Sequence, residues 1–416
     1  MEVKEGYQQT DLGILPEDWG IQSLLEISTM HGRIGWQGLK QSEFTMNIDD
    51  PFLITGMNFK DGDIRWDEVY HIPVKRYEEA KQIQLTNDDV LITKDGTIGK
   101  TLYINTIPYP GKASLNSHLL VFRPLRERYI PKYLYYQLNS KIFLNHVERE
   151  KSGSTFFGIT QESMGKFQIP LPPTLTEQSA IATALSDIDT LISGLENLIA
   201  KKQNINQGTM QLLLTEKRRL PGFSEKWEIT KLRDICEFAN GKPYEKFVTP
   251  DGKYKLITLD SISISGQLKP QHKRIDFLDN SLMKNDIAII LSDIAHGNLL
   301  GLCDVIPDDD KYVLNQRVGR IRVNSDQNPF FIKLQINSRQ IFFSNRGQGT
   351  SQRHIYQRDI YDLEISCPEL KEQSAIAQVL RDMDAEIKEL ELKLAKYKMI
   401  KQGMIHELLT GQKRLI

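Results

Sequence analysis

The chain has 416 residues, 40% of them hydrophobic, which suits two or three domains of ordinary size with real cores. Lys and Arg total 53 against 54 Asp and Glu, a formal net charge of -1, which excludes a wholly basic protein but not one with segregated charge. Three distant cysteines, Cys236, Cys303 and Cys367, exclude a Cys-x-x-Cys zinc site and fit a reducing cytoplasm.

The opening stretch MEVKEGYQQTDLG has no apolar segment, so no signal peptide is expected. No apolar run reaches the ~20 residues of a membrane span, so no membrane partner is expected. Residues 1–172 show short β-rich runs broken by Gly, Pro and Asp, among them Val90–Thr93 and Leu119–Phe122, with a helical stretch at 131–147. Residues 173–217 follow a proline signal and read as one long helix over 177–215, with Thr174 and Glu177 spaced as a capping box. Ile181, Leu185, Ile188, Ile192, Leu195 and Ile199 form its apolar stripe, with Ala184, Leu191 and Leu198 beside them. Residues 218–368 return to β-rich runs such as Ile287–Ile290 and Val318–Val323. Residues 369–416 read as a second long helix over 372–410, striped by Ile376, Leu380, Met383, Ile387, Leu390, Leu394 and Tyr397.

These elements repeat. Residues 177–220 and 372–415 align without gaps at 22 identities in 44 positions, led by Glu-Gln-Ser-Ala-Ile-Ala in both. Upstream the repeat is fainter: Leu15-Pro16 with Trp19 matches Leu220-Pro221 with Trp227, and Leu115-Asn116 matches Leu314-Asn315. The fold class expected is α+β: two globular domains of mixed α/β structure separated by two long antiparallel helices in a coiled coil, with a pseudo-two-fold repeat. The plainer alternative is that each helix packs only on its own globule. About 39 residues make a rod of roughly 58 Å.

Charge is uneven inside the globules. Residues 90–176 hold 11 basic and 5 acidic residues, and residues 311–358 hold 9 basic residues against Asp326 alone. Two positive segments in matching halves suit phosphate contact, although a solvated basic face gives the same count.

Chemical motifs are weak. Gly96 to Thr101 resembles the end of a P-loop, but Lys94 stands where the first glycine belongs. Asn328-Pro329-Phe330-Phe331 resembles an amino-methyltransferase motif without its second proline, and Pro329 at a helix start explains it. Asp308-Asp309-Asp310-Lys311 reads as a solvated turn. No histidine spacing suits a metal, and no nucleophile and base pair up, so no catalytic or metal residue is assigned.

This organisation resembles the specificity subunit of type I restriction–modification systems. The likeness rests on the Pro16-x-x-Trp19 opening, the Gly153-Ser154-Thr155 and Gly349-Thr350-Ser351 loops, the run Ile169 to Pro173, and the repeated Glu-Gln-Ser-Ala-Ile-Ala. The second half departs from it with Ser366-Cys367-Pro368-Glu369. The resemblance implies target-recognition domains at 1–172 and 218–368 that each read half of a bipartite double-stranded DNA site. The helices would set the spacing and dock two methyltransferase subunits, and restriction subunits would join them. S-adenosylmethionine, ATP and Mg would sit on those partners only, in a cytoplasmic, nucleoid-associated complex. The candidate DNA-contacting residues are Lys94, Thr97, Lys100, Asn116, His118, Arg123, Ser154 and Thr155 in the first half. In the second they are His296, Asn315, Arg317, Arg320, Arg322, Arg346, Gln352, Arg353 and His354. Arg317→Ala and Arg353→Ala are both expected to weaken DNA binding without unfolding. A DNA-free coiled-coil scaffold and an enzyme of unrecognised motif remain the competing classes.

Overall fold

The computed structural model describes residues 4–33, 38–60, 62–151, 158–294 and 298–415. The chain divides into two compact units, Met1–Glu196 with Leu392–Ile416, and Asn197–Glu391. The division cuts through both long helices rather than beside them.

The first globule holds seven strands that matter here: β1 (Ser28–His31), β2 (Phe52–Ile54), β3 (Gln84–Leu85), β4 (Val90–Thr93), β5 (Thr101–Tyr103), β6 (Ala113–Leu115) and β7 (Leu119–Pro124). One antiparallel sheet runs β5-β4-β7-β1, and a second runs β2-β6-β3 with β2 and β6 parallel. Helices α1 (Pro131–Gln137) and α2 (Lys141–Glu150) follow, then the long α3 (Leu175–Leu213). The second globule holds β8 (Cys236–Asn240), β9 (Tyr254–Ile257), β10 (Lys273–Ile275), β11 (Ile287–Ile290), β12 (Ser292–Ile294), β13 (Cys303–Val305), β14 (Tyr312–Leu314), β15 (Val318–Val323), α4 (Pro329–Asn337), α5 (Gln340–Arg346) and β16 (Gln352–His354), before the long α6 (Leu370–Leu409). Its main sheet, β13-β11-β15-β8, has the order of the first. The three-stranded sheets differ: β3 pairs with β6, whereas β10 pairs with β9, the partner on the other side of the equivalent parallel pair.

The continuous apolar runs have a simple cause. Side chains alternate across a strand, and both faces of each main sheet are covered. Val90 and Ile92 join the core that holds α1 and α3, while Leu91 joins the core under the smaller sheet. Ile287 and Ile289 pair off in the same way against Ala288 and Ile290.

Helices α3 and α6, of 39 and 40 residues, start and end within two residues of the expected spans. Thr174 caps α3, its Oγ1 accepting from the Glu177 N–H at 3.2 Å. Glu177 does not close the capping box; its carboxylate takes Arg414 instead. In the first unit Asp189 pairs with Lys401 and Glu196 with Lys398, so the two helices run antiparallel. In the second unit Lys202 pairs with Glu386 and Asn206 with Asp384, again antiparallel. Ile181, Leu185, Ile188, Ile192, Ile376, Leu380 and Ile387 are buried, while Leu195, Met383, Leu390 and Leu394 are half-buried. Ile181 and Leu185 share a core with Leu408 and Leu409, and Ile376 and Leu380 share one with Leu213 and Leu214. Each helix therefore packs on its own globule and on the other helix at once, so the two packing alternatives were not exclusive.

Three motifs resolve structurally. The Gly96–Thr101 stretch is the turn of the β4–β5 hairpin, with Gly96 and Gly99 at φ 69 and 85, whereas a P-loop leads into a helix. Asn328 caps α4, its Oδ1 accepting from Phe330 and Phe331 N–H at 3.1 Å, with Pro329 in the first turn. Asp308 pairs with Lys311 and Asp309 accepts from the Lys284 N–H, which makes the acidic run a braced turn.

Candidate nucleic-acid interface

In the first globule three segments meet where β4 ends. The Lys94 N–H donates to the His118 carbonyl at 3.0 Å, and the Ile159 N–H donates to the Lys94 carbonyl at 2.8 Å. Asp95 forms a β-bridge with Gly158. Thr93 Oγ1 donates to the Thr97 carbonyl and accepts from the Lys100 N–H, tightening the turn that carries Thr97 and Lys100 into solvent. His118 is exposed, and its Nδ1 lies 2.5 Å from Asp95 Oδ1, which fixes the plane of the ring.

The second globule repeats this frame. The Leu291 N–H donates to the Arg317 carbonyl at 2.9 Å, and the Ile355 N–H donates to the Leu291 carbonyl at 2.9 Å. Strands β12 and β16 pair Ser292 with His354, whose Nδ1 lies 2.6 Å from Ser292 Oγ. Lys94 thus corresponds to Leu291, Asp95 to Ser292, His118 to Arg317 and Gly158 to His354. The backbone frame is common to both, and the side chains on it are not.

The remaining candidates divide by what holds them. Arg123 grips Asp89 with Nε and Nη2, both at 2.7 Å, and also donates to the Gln82 and Gln84 carbonyls. Arg322 grips Asp286 in the same two-point manner at 2.7 Å. Asp89 and Asp286 are each 2% exposed, and the hydrogen bond to the buried carboxylate raises each arginine's pKa. Arg353 donates to the Ser344 and Gly347 carbonyls, so it caps the end of α5. Asn315 is buried, with Oδ1 accepting from the Tyr244 N–H and Nδ2 donating to Glu245. The fold engages all four within their own globule, which the sequence did not show: a charge count does not reveal a buried acid outside its window. One signal was legible, because Asp89 and Asp286 each stand immediately before a repeated central strand.

Arg320 lies between Ala239 and Ala288 on the neighbouring strands, which are short enough to admit it, with Nε buried. Arg346 is exposed and stacks on Phe342, 3.6 Å from the ring centroid. Lys94, Asn116, Gln352 and His354 are half-buried. Ser154, Thr155 and His296 lie outside the described residues. Sequence reasoning missed Asp95 and Ser292, and also Lys242, exposed and bridged to Asn315, and Glu245. A hydrogen bond from Lys273 holds the Glu245 carboxyl below its usual pKa.

The family described as "Type I restriction modification DNA specificity domain" matches residues 16–207 and 224–396, one copy for each half. The chain belongs to this family of type I restriction–modification DNA specificity proteins. Among curated relatives, the type I restriction enzyme MjaVIII specificity subunit of Methanocaldococcus jannaschii is 24% identical over 357 residues, 80% of this chain and 81% of the relative. The putative MjaX specificity subunit of the same organism is 26% identical over 436 residues, 99% of this chain and 97% of the relative. Among solved structures, the type I S subunit from M. genitalium superposes with a TM-score of 0.62 at 13% identity, covering 98% of each chain. A chain from work on complex assembly and conformational transition of the type I R-M system gives 0.59 at 16% identity, covering 96% of this chain and 99% of its own. At these identities the structural likeness concerns the fold, which is that of a type I S subunit: mixed helix and sheet in two repeated domains. No helix among the described residues is long and apolar enough to cross a membrane.

Proposed function

We propose that this specificity subunit reads a bipartite, asymmetric DNA site, one half with each globule, and itself performs no catalysis. The observation that supports this is the shared loop frame carrying Lys94, Asp95 and His118 in one half and Leu291, Ser292 and Arg317 in the other. Two equivalent frames bearing unlike side chains suit two unlike half-sites. Exposed Lys and Arg would position each globule on phosphates, and a few side chains would read base edges. A helical strut between two readers restricts which half-site spacings both can engage.

The partners are two methyltransferase subunits docked along the helices, and restriction subunits complete a nuclease. In the second unit three apolar residues of α3 at seven-residue spacing, Leu198, Ile205 and Leu212, are 39, 46 and 38% exposed, which suits a helix from such a partner. S-adenosylmethionine, ATP and Mg belong to the partner subunits. The deciding experiment maps methylated adenines in host DNA with and without this chain, co-expressed with its methyltransferase. One interrupted, asymmetric motif that vanishes without the chain is the expected result. Turnover by the isolated chain, or partner binding with no DNA preference, would favour the enzyme or scaffold class.

A further inference from the structure

We propose that Arg317 reads a guanine in the half-site of the second globule. This rests on the DNA-recognition reading above and narrows it from a domain to one side chain.

Three observations carry it. The backbone of Arg317 lies at φ 70, the left-handed region where a β-carbon is disfavoured and glycine is the usual occupant. The turn is held there from several sides. The Leu291 N–H donates to the Arg317 carbonyl at 2.9 Å, the neighbouring Gln316 N–H donates to the Lys242 carbonyl at 2.8 Å, and Asn315 is buried and bonded at both ends of its amide. Strain persists where its surroundings over-determine it, and a long cationic side chain kept in such a place calls for a use.

The guanidinium is exposed and makes no hydrogen bond or salt bridge among the described residues. The arginines on the strand that follows this turn differ, since Arg322 is engaged by Asp286 and Arg320 is half-buried between two strands. Arg317 therefore has its full set of donors available to a ligand.

The equivalent position of the first globule, on the same backbone hydrogen bond, holds His118 tied to Asp95. The exposed side chain on a common frame is the natural point at which two half-sites are told apart. A guanidinium presents two parallel N–H donors. Guanine alone offers two acceptors, O6 and N7, on its major-groove edge.

The test uses the full chain assembled with its methyltransferase. Arg317→Gly removes the guanidinium and puts glycine where the backbone already favours it, so the fold is kept, which thermal melting checks. Duplexes of the cognate site carry 7-deazaguanine in place of one guanine at a time, deleting N7. One such substitution is expected to weaken wild-type binding by about 10-fold or more, and to leave binding by the glycine variant unchanged. In host DNA, the glycine variant's methylated motif should relax at that guanine alone.

The proposal is overturned if no guanine of the site responds to deaza substitution, or if the variant keeps the wild-type motif. It is equally overturned if the variant binds all sequences more weakly by one factor and its salt slope drops by about 1, the signature of a phosphate contact. A wild-type complex with no sequence-specific methylation would instead sink the DNA-recognition reading beneath it.

Discussion

Arg414 and Glu177, 237 positions apart in the chain, form a two-point ion pair in the first unit, with Nη2 to Oε2 at 2.8 Å. The same arginine also holds Asp18 and lies over the Trp19 ring. The second unit repeats the pair with Arg219 and Glu372, where both bonds are 2.6 Å, and Arg219 lies over Trp227. Gln137 and Gln335 complete the likeness, donating to the Leu409 and Leu214 carbonyls. The repeated Glu of the two helices, Glu177 and Glu372, is thus the buried anchor for the arginine that follows the opposite helix.

Glu177 is 2% exposed and Glu372 is fully buried, so removing either arginine leaves a carboxylate without its cation. Arg414→Ala should destabilise the first unit and Arg219→Ala the second, each by about 3 kcal/mol. Urea unfolding gives the magnitude, and hydrogen exchange resolved by segment shows which unit loosens. Equal loosening of both units in either variant would contradict the assignment.

Arg322 faces Asp286 as Arg123 faces Asp89. Arg322→Ala should cost about 3 kcal/mol of stability by stranding the buried acid, while the methylated sequence in host DNA stays the same. A changed motif at full stability would return Arg322 to the DNA-contacting set.

Arg353 donates to two carbonyls at the end of α5. Its replacement by Ala should lower stability by about 1 kcal/mol and speed amide exchange over 340–347. A melting curve identical to wild type, accompanied by weaker DNA binding, would restore the expectation drawn from sequence.

Leu380 is 2% exposed in the core of the second unit, whereas Leu191 is 52% exposed on α3. Leu380→Ala should cost about 3 kcal/mol through the cavity it leaves. Leu191→Ala should change stability by less than about 0.5 kcal/mol. If the exposed stripe of the second unit docks a methyltransferase helix, Ile205→Ala weakens subunit association, read by sedimentation or calorimetry. Unimpaired association of the triple variant Leu198→Ala, Ile205→Ala and Leu212→Ala would refute that docking role.

Local, repetitive signals were legible. The 3.6-residue period of Ile181, Leu185, Ile188 and Ile192 marks α3, because one face of a helix must be buried along its length. Duplication of Glu177-Gln178 as Glu372-Gln373 marks the two halves. The candidate site was less legible. Of the arginines counted as a positive segment, Arg322 and Arg353 turned out to be engaged by Asp286 and by α5 carbonyls, while His118 and Arg317 occupy equivalent exposed positions. Charge is a property of composition, but availability depends on which acid or carbonyl lies within about 3 Å, often far along the chain.

By itself the sequence determined a repeated chain of β-rich globules and long amphipathic helices, since periodicity and duplication are written in residue order. Only the tertiary structure decided that the first compact unit is built from two discontinuous stretches, with Arg414 returning to Glu177. It also decided which cations face solvent. Both outcomes come from long-range pairing of buried polar groups, whose partners are chosen by three-dimensional packing rather than by neighbourhood in sequence.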